Sequence, residues 1–72
     1  MEEYKRLINL ESVAFENYRQ AKDRAERLRL NYLMYPESND KNDADYAIEK
    51  AKELYRRYID AKKTAEDYWT QL

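Results

Sequence analysis

The sequence predicts an all-α fold, an antiparallel two-helix hairpin with an Ala-rich coiled-coil seam, and three observations lead to it. Two long segments are rich in Glu, Lys, Arg, Ala and Leu, which are strong helix formers. Apolar residues recur in both segments at alternating spacings of three and four, as at heptad a and d positions. The only proline, Pro36, lies between the segments. A chain of 72 residues is therefore expected to form one domain, a single hairpin.

The first helix is expected over residues 3–34, a corner over 35–42 and the second helix over 43–71. Pro36 ends the first helix, because proline disfavours helical backbone at the preceding residue and has no N–H to donate. Ser38, Asn39, Asn42 and Asp43 are all residue types that cap helix N-termini. Asn42 and Asp43 are the preferred caps of the second helix.

The seam consists of one row of residues from each helix. Pairing residues whose numbers add up to 79 sets one Ala against one large side chain in six of nine layers, the alternation that close packing needs. This register centres the corner near Asn39 and Asp40. It also pairs Glu11 with Tyr68, whose hydroxyl is expected to hydrogen-bond the carboxylate. The rows are Tyr4, Leu7, Glu11, Ala14, Tyr18, Ala21, Ala25, Leu28, Tyr32 and Tyr35, and Ala44, Ala47, Ala51, Leu54, Tyr58, Ala61, Ala65, Tyr68 and Leu72.

Further apolar residues lie beside the seam, on one flank of the hairpin. This apolar flank comprises Ile8, Phe15, Ile48, Tyr55, Ile59 and Trp69. Antiparallel pairing places Ile8 level with Trp69 and Phe15 within reach of it, while the opposite flank is polar. A contiguous apolar patch on a two-helix protein predicts an interface. Two occupants remain open: a second hairpin, which would complete a homodimeric four-helix bundle, and a groove or helix of another protein.

Two further features lie near the corner. Leu30, Leu33 and Met34 form a small apolar cluster that is expected to pack under the loop, with a second contact surface as the alternative. Several corner residues also fall on positions of a calcium-loop template, but Asp43 occupies the position that needs Gly. Turn and capping chemistry explains these residues more simply, so no metal site is predicted.

Charge is banded along the chain. The net charge is −1, but residues 18–30 carry +3 and residues 50–63 carry +4, whereas residues 31–49 carry −4. In a folded hairpin the two basic bands lie at similar heights and form a belt that could bind phosphates or an acidic partner. Acids interleaved at i,i+4 spacing favour a solvated, self-paired face instead. The belt residues are Arg19, Lys22, Arg24, Arg27, Arg29, Arg56 and Arg57.

The composition disfavours catalysis. The chain has no Cys, no His and no Gly, so it lacks the commonest metal ligands, the commonest general base and the backbone of phosphate-binding loops. We therefore expect no enzyme activity, no metal, no cofactor and no small-molecule substrate. No stretch approaches about 18 apolar residues and the start is not a secretory signal, so a cytoplasmic protein that does not span a membrane is expected.

The expected function is that of a small non-enzymatic helical protein that inhibits or adapts a larger protein through the apolar flank, of the kind that phages and mobile elements encode. The alternative is a homodimeric four-helix bundle that binds RNA or DNA through the basic belt, and a structural assembly subunit is a third hypothesis. The seam is similar in kind to the Ala-packed hairpins of small dimeric four-helix bundles of the RNA-binding Rop type. That resemblance covers the heptad pattern and no binding residue, so it implies an architecture alone.

Overall fold

The computed structural model describes residues 1–71, which form two long helices joined by a short corner. Helix α1 spans Glu2–Met34 and helix α2 spans Lys41–Thr70. The helices pack against each other as an antiparallel pair, and the molecule is a rod of 56 × 13 × 12 Å. Residues 1–71 contain no strand. The predicted all-α helical hairpin is therefore confirmed.

The helices meet along the predicted seam positions. The buried side chains are Leu7, Ala25, Ala44, Ala47, Ala51 and Ala65, and all six are seam residues. The other seam positions are half-buried, except Tyr35, which is exposed, and Leu72, which lies outside the described residues. Each helix thus buries one stripe and exposes the rest, as the heptad spacing dictates. Neither described helix has the length and apolar character needed to cross a membrane.

The register of the seam differs from the prediction. The rings that pair across the two helices belong to residues whose numbers add up to between 72 and 76, as in the stacked pair Tyr18–Tyr58. Ala25 clusters with Ala47 and Ala51, and its predicted partner Leu54 is not part of that cluster. The predicted sum of 79 is wrong by roughly one helical turn, about 5 Å along the axis.

The pairing of Glu11 with Tyr68 is wrong for the same reason. The ring of Tyr68 stacks on Tyr4 with centroids 6.3 Å apart. Among residues 1–71 no hydrogen bond joins Tyr68 to Glu11. The shift of about one turn places Glu11 nearer to Ala65 than to Tyr68, and Glu11 stays half-exposed.

The register is set by a corner that is shorter than predicted. Asp40 is the N-cap of α2, and its Oδ1 accepts a hydrogen bond from the backbone N–H of Asn42 at 2.8 Å. The helix therefore begins at Lys41, and the preferred caps Asn42 and Asp43 lie inside its first turn. The six-residue corner is centred between Glu37 and Ser38, which corresponds to a register sum of 75 rather than 79.

Asn39 completes the other side of the corner. Its Nδ2 donates to the backbone carbonyls of Asn31 at 3.2 Å and Tyr35 at 2.9 Å, which also accept from the backbone N–H groups of Tyr35 and Ser38. Pro36 follows the C-cap Tyr35, where it cannot continue the helix. No described residue has a positive φ, so this corner does not require glycine.

Leu30, Leu33 and Met34 form an exposed patch on the outer face of α1. They are 55%, 63% and 57% exposed, so the prediction that they pack under the loop is wrong. Their spacing makes them neighbours on one helix surface. The corner connects the two helix ends directly and is too short to fold back over that surface.

Candidate protein-binding groove

An open groove lies between the two helices on the flank that carries Ile48 and Tyr55. Its volume is about 470 Å³. The floor and walls are apolar, and charged side chains stand along both rims. The apolar lining consists of Tyr18, Ala25, Ile48, Ala51 and Tyr55, and the charged lining consists of Lys22, Glu26, Arg29, Lys52 and Arg56.

The groove exists because of the observed register. Ala25 of α1 and Ala51 of α2 belong to one cluster, so small side chains meet where the helices face each other. In the predicted register each of these alanines would face a leucine, which would fill the space. Two facing alanines leave a hollow that larger residues border, with Ile48 towards the corner and Tyr55 towards the middle of the rod.

Four aromatic rings close the groove at its end in the middle of the rod. The ring of Tyr18 lies 5.0 Å from that of Tyr55, and the ring of Phe15 lies 5.1 Å from that of Tyr58. Tyr58 also stacks on Tyr18, with ring planes only 3° apart. Because the rings pack against one another, they present a preformed apolar wall that carries hydroxyl groups.

The rim carries an excess of positive charge. Within residues 1–71, Lys22, Arg29 and Arg56 make no ion pair. Lys52 lies 3.3 Å from Glu49 and pairs with it. Glu49 itself is not part of the groove lining. Three cationic side chains around an apolar floor are thus available to an anionic partner.

The predicted apolar flank is divided between the groove and the open end of the hairpin. Ile48 and Tyr55 line the groove, and Phe15 packs on the tyrosine wall. Ile8 and Ile59 are exposed at separate points along the flank.

Trp69 lies at the open end of the hairpin, apart from the groove. The ring of Trp69 is 5.2 Å from that of Tyr4. Tyr4 lies one helical turn before Ile8, the predicted neighbour of Trp69. The prediction that Phe15 lies within reach of Trp69 is wrong. Phe15 contacts Tyr58, and Trp69 follows Tyr58 by eleven residues, roughly 16 Å along α2.

The predicted basic belt is not one surface. Three of its members, Lys22, Arg29 and Arg56, line the groove. Arg24 lies on the opposite flank, beside Ala21, and Arg27 is exposed. The remaining members of the belt, Arg19 and Arg57, make ion pairs on their own helices.

The paired belt residues contact carboxylates on their own helices. Arg19 is 2.7 Å from Glu16 and 3.7 Å from Asp23, and Arg57 is 2.7 Å from Glu53. The hydrogen bond from Arg19 lowers the pKa of Glu16 below its ordinary value of 4.5. These pairs lie on solvent-exposed surface, as expected for a self-paired charged face.

Sequence reasoning missed half of the groove lining. The sequence assigns Tyr18, Ala25 and Ala51 to the seam alone and does not link Lys52 and Glu26 to the flank. Only the register identifies these residues as lining, because it decides which seam residues face a small partner and so remain accessible from the flank.

The lining chemistry suits binding of apolar and anionic groups. Within residues 1–71, no group of three or more acidic side chains is placed to hold a metal ion. The one carboxylate of the groove is Glu26, beside four cations. Two acids fall on ligand positions of the calcium-loop template: Asp40, which caps α2, and Glu49, which pairs with Lys52.

Known proteins supply no template for this groove. No family model, no curated protein and no solved structure matches the chain. The chemistry of the lining, an apolar floor between unpaired cations, is therefore the basis on which a function can be proposed.

Proposed function

We propose that this chain is a non-enzymatic binding protein that docks on a larger protein, as inhibitor or adaptor, through the groove and the adjoining apolar flank. The observation that carries the proposal is uncovered surface. The chain exposes 5839 Å², whereas a folded monomer of 8.9 kDa exposes about 4,800 Å². The surplus of about 1,000 Å² is close to what one partner contributes to a standard protein–protein interface, about 800 Å².

The small core supports the same conclusion. Five of the six buried residues are alanines, and no large side chain among the described residues is completely buried. A core of this size supplies only about 3–5 kcal/mol, so the hairpin gains much from covering its flank. A partner that binds the folded hairpin alone would stabilise it by mass action.

Binding of RNA or DNA through a central belt is the weaker alternative. A nucleic-acid site needs free cations that follow a phosphate backbone. Arg19 and Arg57 are paired with acids on their own helices. The unpaired cations of the groove, Lys22, Arg29 and Arg56, border an apolar floor, which favours a protein surface over a phosphate backbone. The other two belt residues without an ion pair among residues 1–71, Arg24 and Arg27, lie outside the groove lining.

A second copy of the chain is also a poorer occupant of the groove. A two-fold interface centred on the groove places the same patch of both chains face to face. That arrangement would bring together two linings that each hold four cations and one carboxylate. Juxtaposed like charges disfavour such a complex.

Site-specific photo-crosslinking tests the proposal. A benzophenone side chain is placed at position 55, inside the groove, or at position 50, on the opposite flank, in cells that express the chain. We expect the probe at Tyr55 to cross-link a discrete larger protein and the probe at Lys50 not to do so. Ile48→Asp, checked for helicity by circular dichroism, is expected to abolish the cross-link, because it places a charge on the apolar floor.

Two results would overturn the proposal. One is cross-linking to the same proteins from both positions, which would indicate non-specific contact. The other is cross-linking to nucleic acid or to a second hairpin alone from position 55.

A further inference from the structure

We infer that the segment bound in the groove is an acidic amphipathic α-helix of the partner protein. The inference rests on the proposed function and specifies the chemistry of its ligand. It depends on three properties of the groove: its length, the spacing of its cations and its single carboxylate.

The length of the groove suits two turns of helix. Its lining on α2 extends over nine residues, from Ile48 to Arg56, or roughly 12 Å. Helices in apolar grooves are anchored by residues at i, i+3 or i+4, and i+7, which span the same distance. A third helix laid along the axis of the hairpin would place such anchors on Ile48, on the facing pair Ala25 and Ala51, and on the wall at Tyr55.

The cations stand on both sides of that axis. Lys22 and Arg29 on α1 are seven residues apart, so they lie on one face about 10 Å from each other. Lys52 and Arg56 face them from α2, at i,i+4 spacing. A bound helix with Asp or Glu on both sides of its apolar stripe would meet cations along both rims.

The acids near the groove do not cancel this charge. The lining contains four cations and one carboxylate, Glu26, a net charge of +3. The pair Lys52–Glu49 reduces the free charge by one. A helix with a basic border would meet like charge at Lys22, Arg29 and Arg56, and such juxtaposition selects against it.

A peptide-display selection tests the inference. The library consists of peptides of about 15 residues, long enough to form a helix, with a fixed Leu stripe and bordering positions that are randomised between Glu, Gln and Lys. The full hairpin is the immobilised target. We expect Glu to be enriched roughly tenfold over Lys at the borders, because several exposed ion pairs each contribute a few-fold.

Charge reversal supplies the decisive comparison. Lys22→Glu with Arg29→Glu is expected to invert the preference, so that Lys is enriched over Glu. The matched control is Arg24→Glu with Arg27→Glu, which makes the same change of net charge on the same helix, away from the groove lining. The control is expected to keep the Glu preference of the parent.

Three outcomes of the selection itself would overturn the inference. The first is selection without charge preference, and the second is an equal loss of Glu preference in the control. The third is failure of the parent hairpin to enrich any peptide.

If peptides are enriched without charge preference and Ile48→Asp abolishes their binding, the proposed function stands and the acidic partner is rejected. An oligouridylate that displaces the selected peptides from the parent but not from the Arg24/Arg27 variant would indicate nucleic-acid binding and overturn both.

Discussion

At the scale of single residues, the neighbours Asn39 and Asp40 fix how the two helices join. The amide of Asn39 donates to carbonyls at the end of α1, and the carboxylate of Asp40 accepts from an N–H at the start of α2. Consecutive side chains thus bind opposite helix ends. Asp40 accepts from an N–H that lacks a partner within α2, and Asn39 adds a second donor to two carbonyls that already accept from the backbone. The corner owes its length to this pair of caps.

Removal of the Asp40 cap is expected to destabilise the hairpin. Asp40→Ala should lower the free energy of unfolding by about 1 kcal/mol, the usual cost of losing an N-cap. Asn42→Ala, at the position that the sequence favoured as a cap, is the control and should cost less than about 0.5 kcal/mol. Urea denaturation of both variants would measure these losses. Equal losses of unfolding free energy would contradict the assignment of Asp40 as the cap.

The exposed pairs Glu3–Arg6 and Glu16–Arg19 predict a loss of stability in acid. A hydrogen bond from the arginine lowers the pKa of each carboxyl below 4.5 in the folded chain. The stabilisation is therefore fully present above the unfolded pKa and is lost as the pH falls through the folded one. Below about pH 4.5, the free energy of unfolding of Glu16→Gln should fall less steeply than that of the parent. Urea denaturation at a series of pH values would measure this.

Glu26→Gln is the matched control for this titration. It removes a carboxyl from the same helix that makes no ion pair among residues 1–71. It should keep the acid sensitivity contributed by Glu16. If Glu26→Gln weakens the acid loss as much as Glu16→Gln does, the pairing with Arg19 is not its source.

At the scale of helices, the sequence predicts the seam positions but not the register. A row with alternating spacings of three and four still matches its partner row after a slip of about one turn. Pairing residues whose numbers add up to 72, to 75–76 or to 79 therefore sets seam residues of α1 against seam residues of α2 in every case. The length of the corner decides which of these registers forms. That length in turn depends on whether Asp40, Asn42 or Asp43 caps α2.

The packing of Tyr18 against Tyr58 gives a direct test of the observed register. Tyr18→Leu and Tyr58→Leu remove a stacked ring but keep apolar bulk. The double-mutant cycle should show a coupling of about 0.5–1.5 kcal/mol, as for other aromatic pairs. A cycle of Tyr18 with Tyr68, which stacks on Tyr4 instead, should show no coupling. Absence of coupling between Tyr18 and Tyr58 would contradict this register.

At the scale of the whole molecule, the rod is a surface with little interior. Its apolar flank was predictable from heptad positions, since residues beside the a and d rows must lie at the edge of the seam. The groove itself was not predictable, because it forms where Ala25 meets Ala51, and that meeting depends on the register. The split of the basic belt likewise depends on which acids each cation reaches.

The isolated chain is expected to unfold as a monomer. If the groove serves a foreign protein, the midpoint of thermal unfolding should not change between about 10 and about 500 µM chain, since only self-association links it to concentration. Circular dichroism at both concentrations, with sedimentation equilibrium, would measure this. A midpoint that rises with concentration would indicate that a second hairpin covers the flank.

The position of Trp69 has a practical consequence for spectroscopy. It is the only tryptophan, and it packs on Tyr4 at the open end, far from the corner and outside the groove lining. Its emission should therefore report fraying of the helix ends before global melting. A fluorescence curve that precedes the circular dichroism curve on heating would measure how far the hairpin opens from that end. Occupation of the groove should leave the tryptophan spectrum unchanged, and tyrosine emission is the better probe of binding.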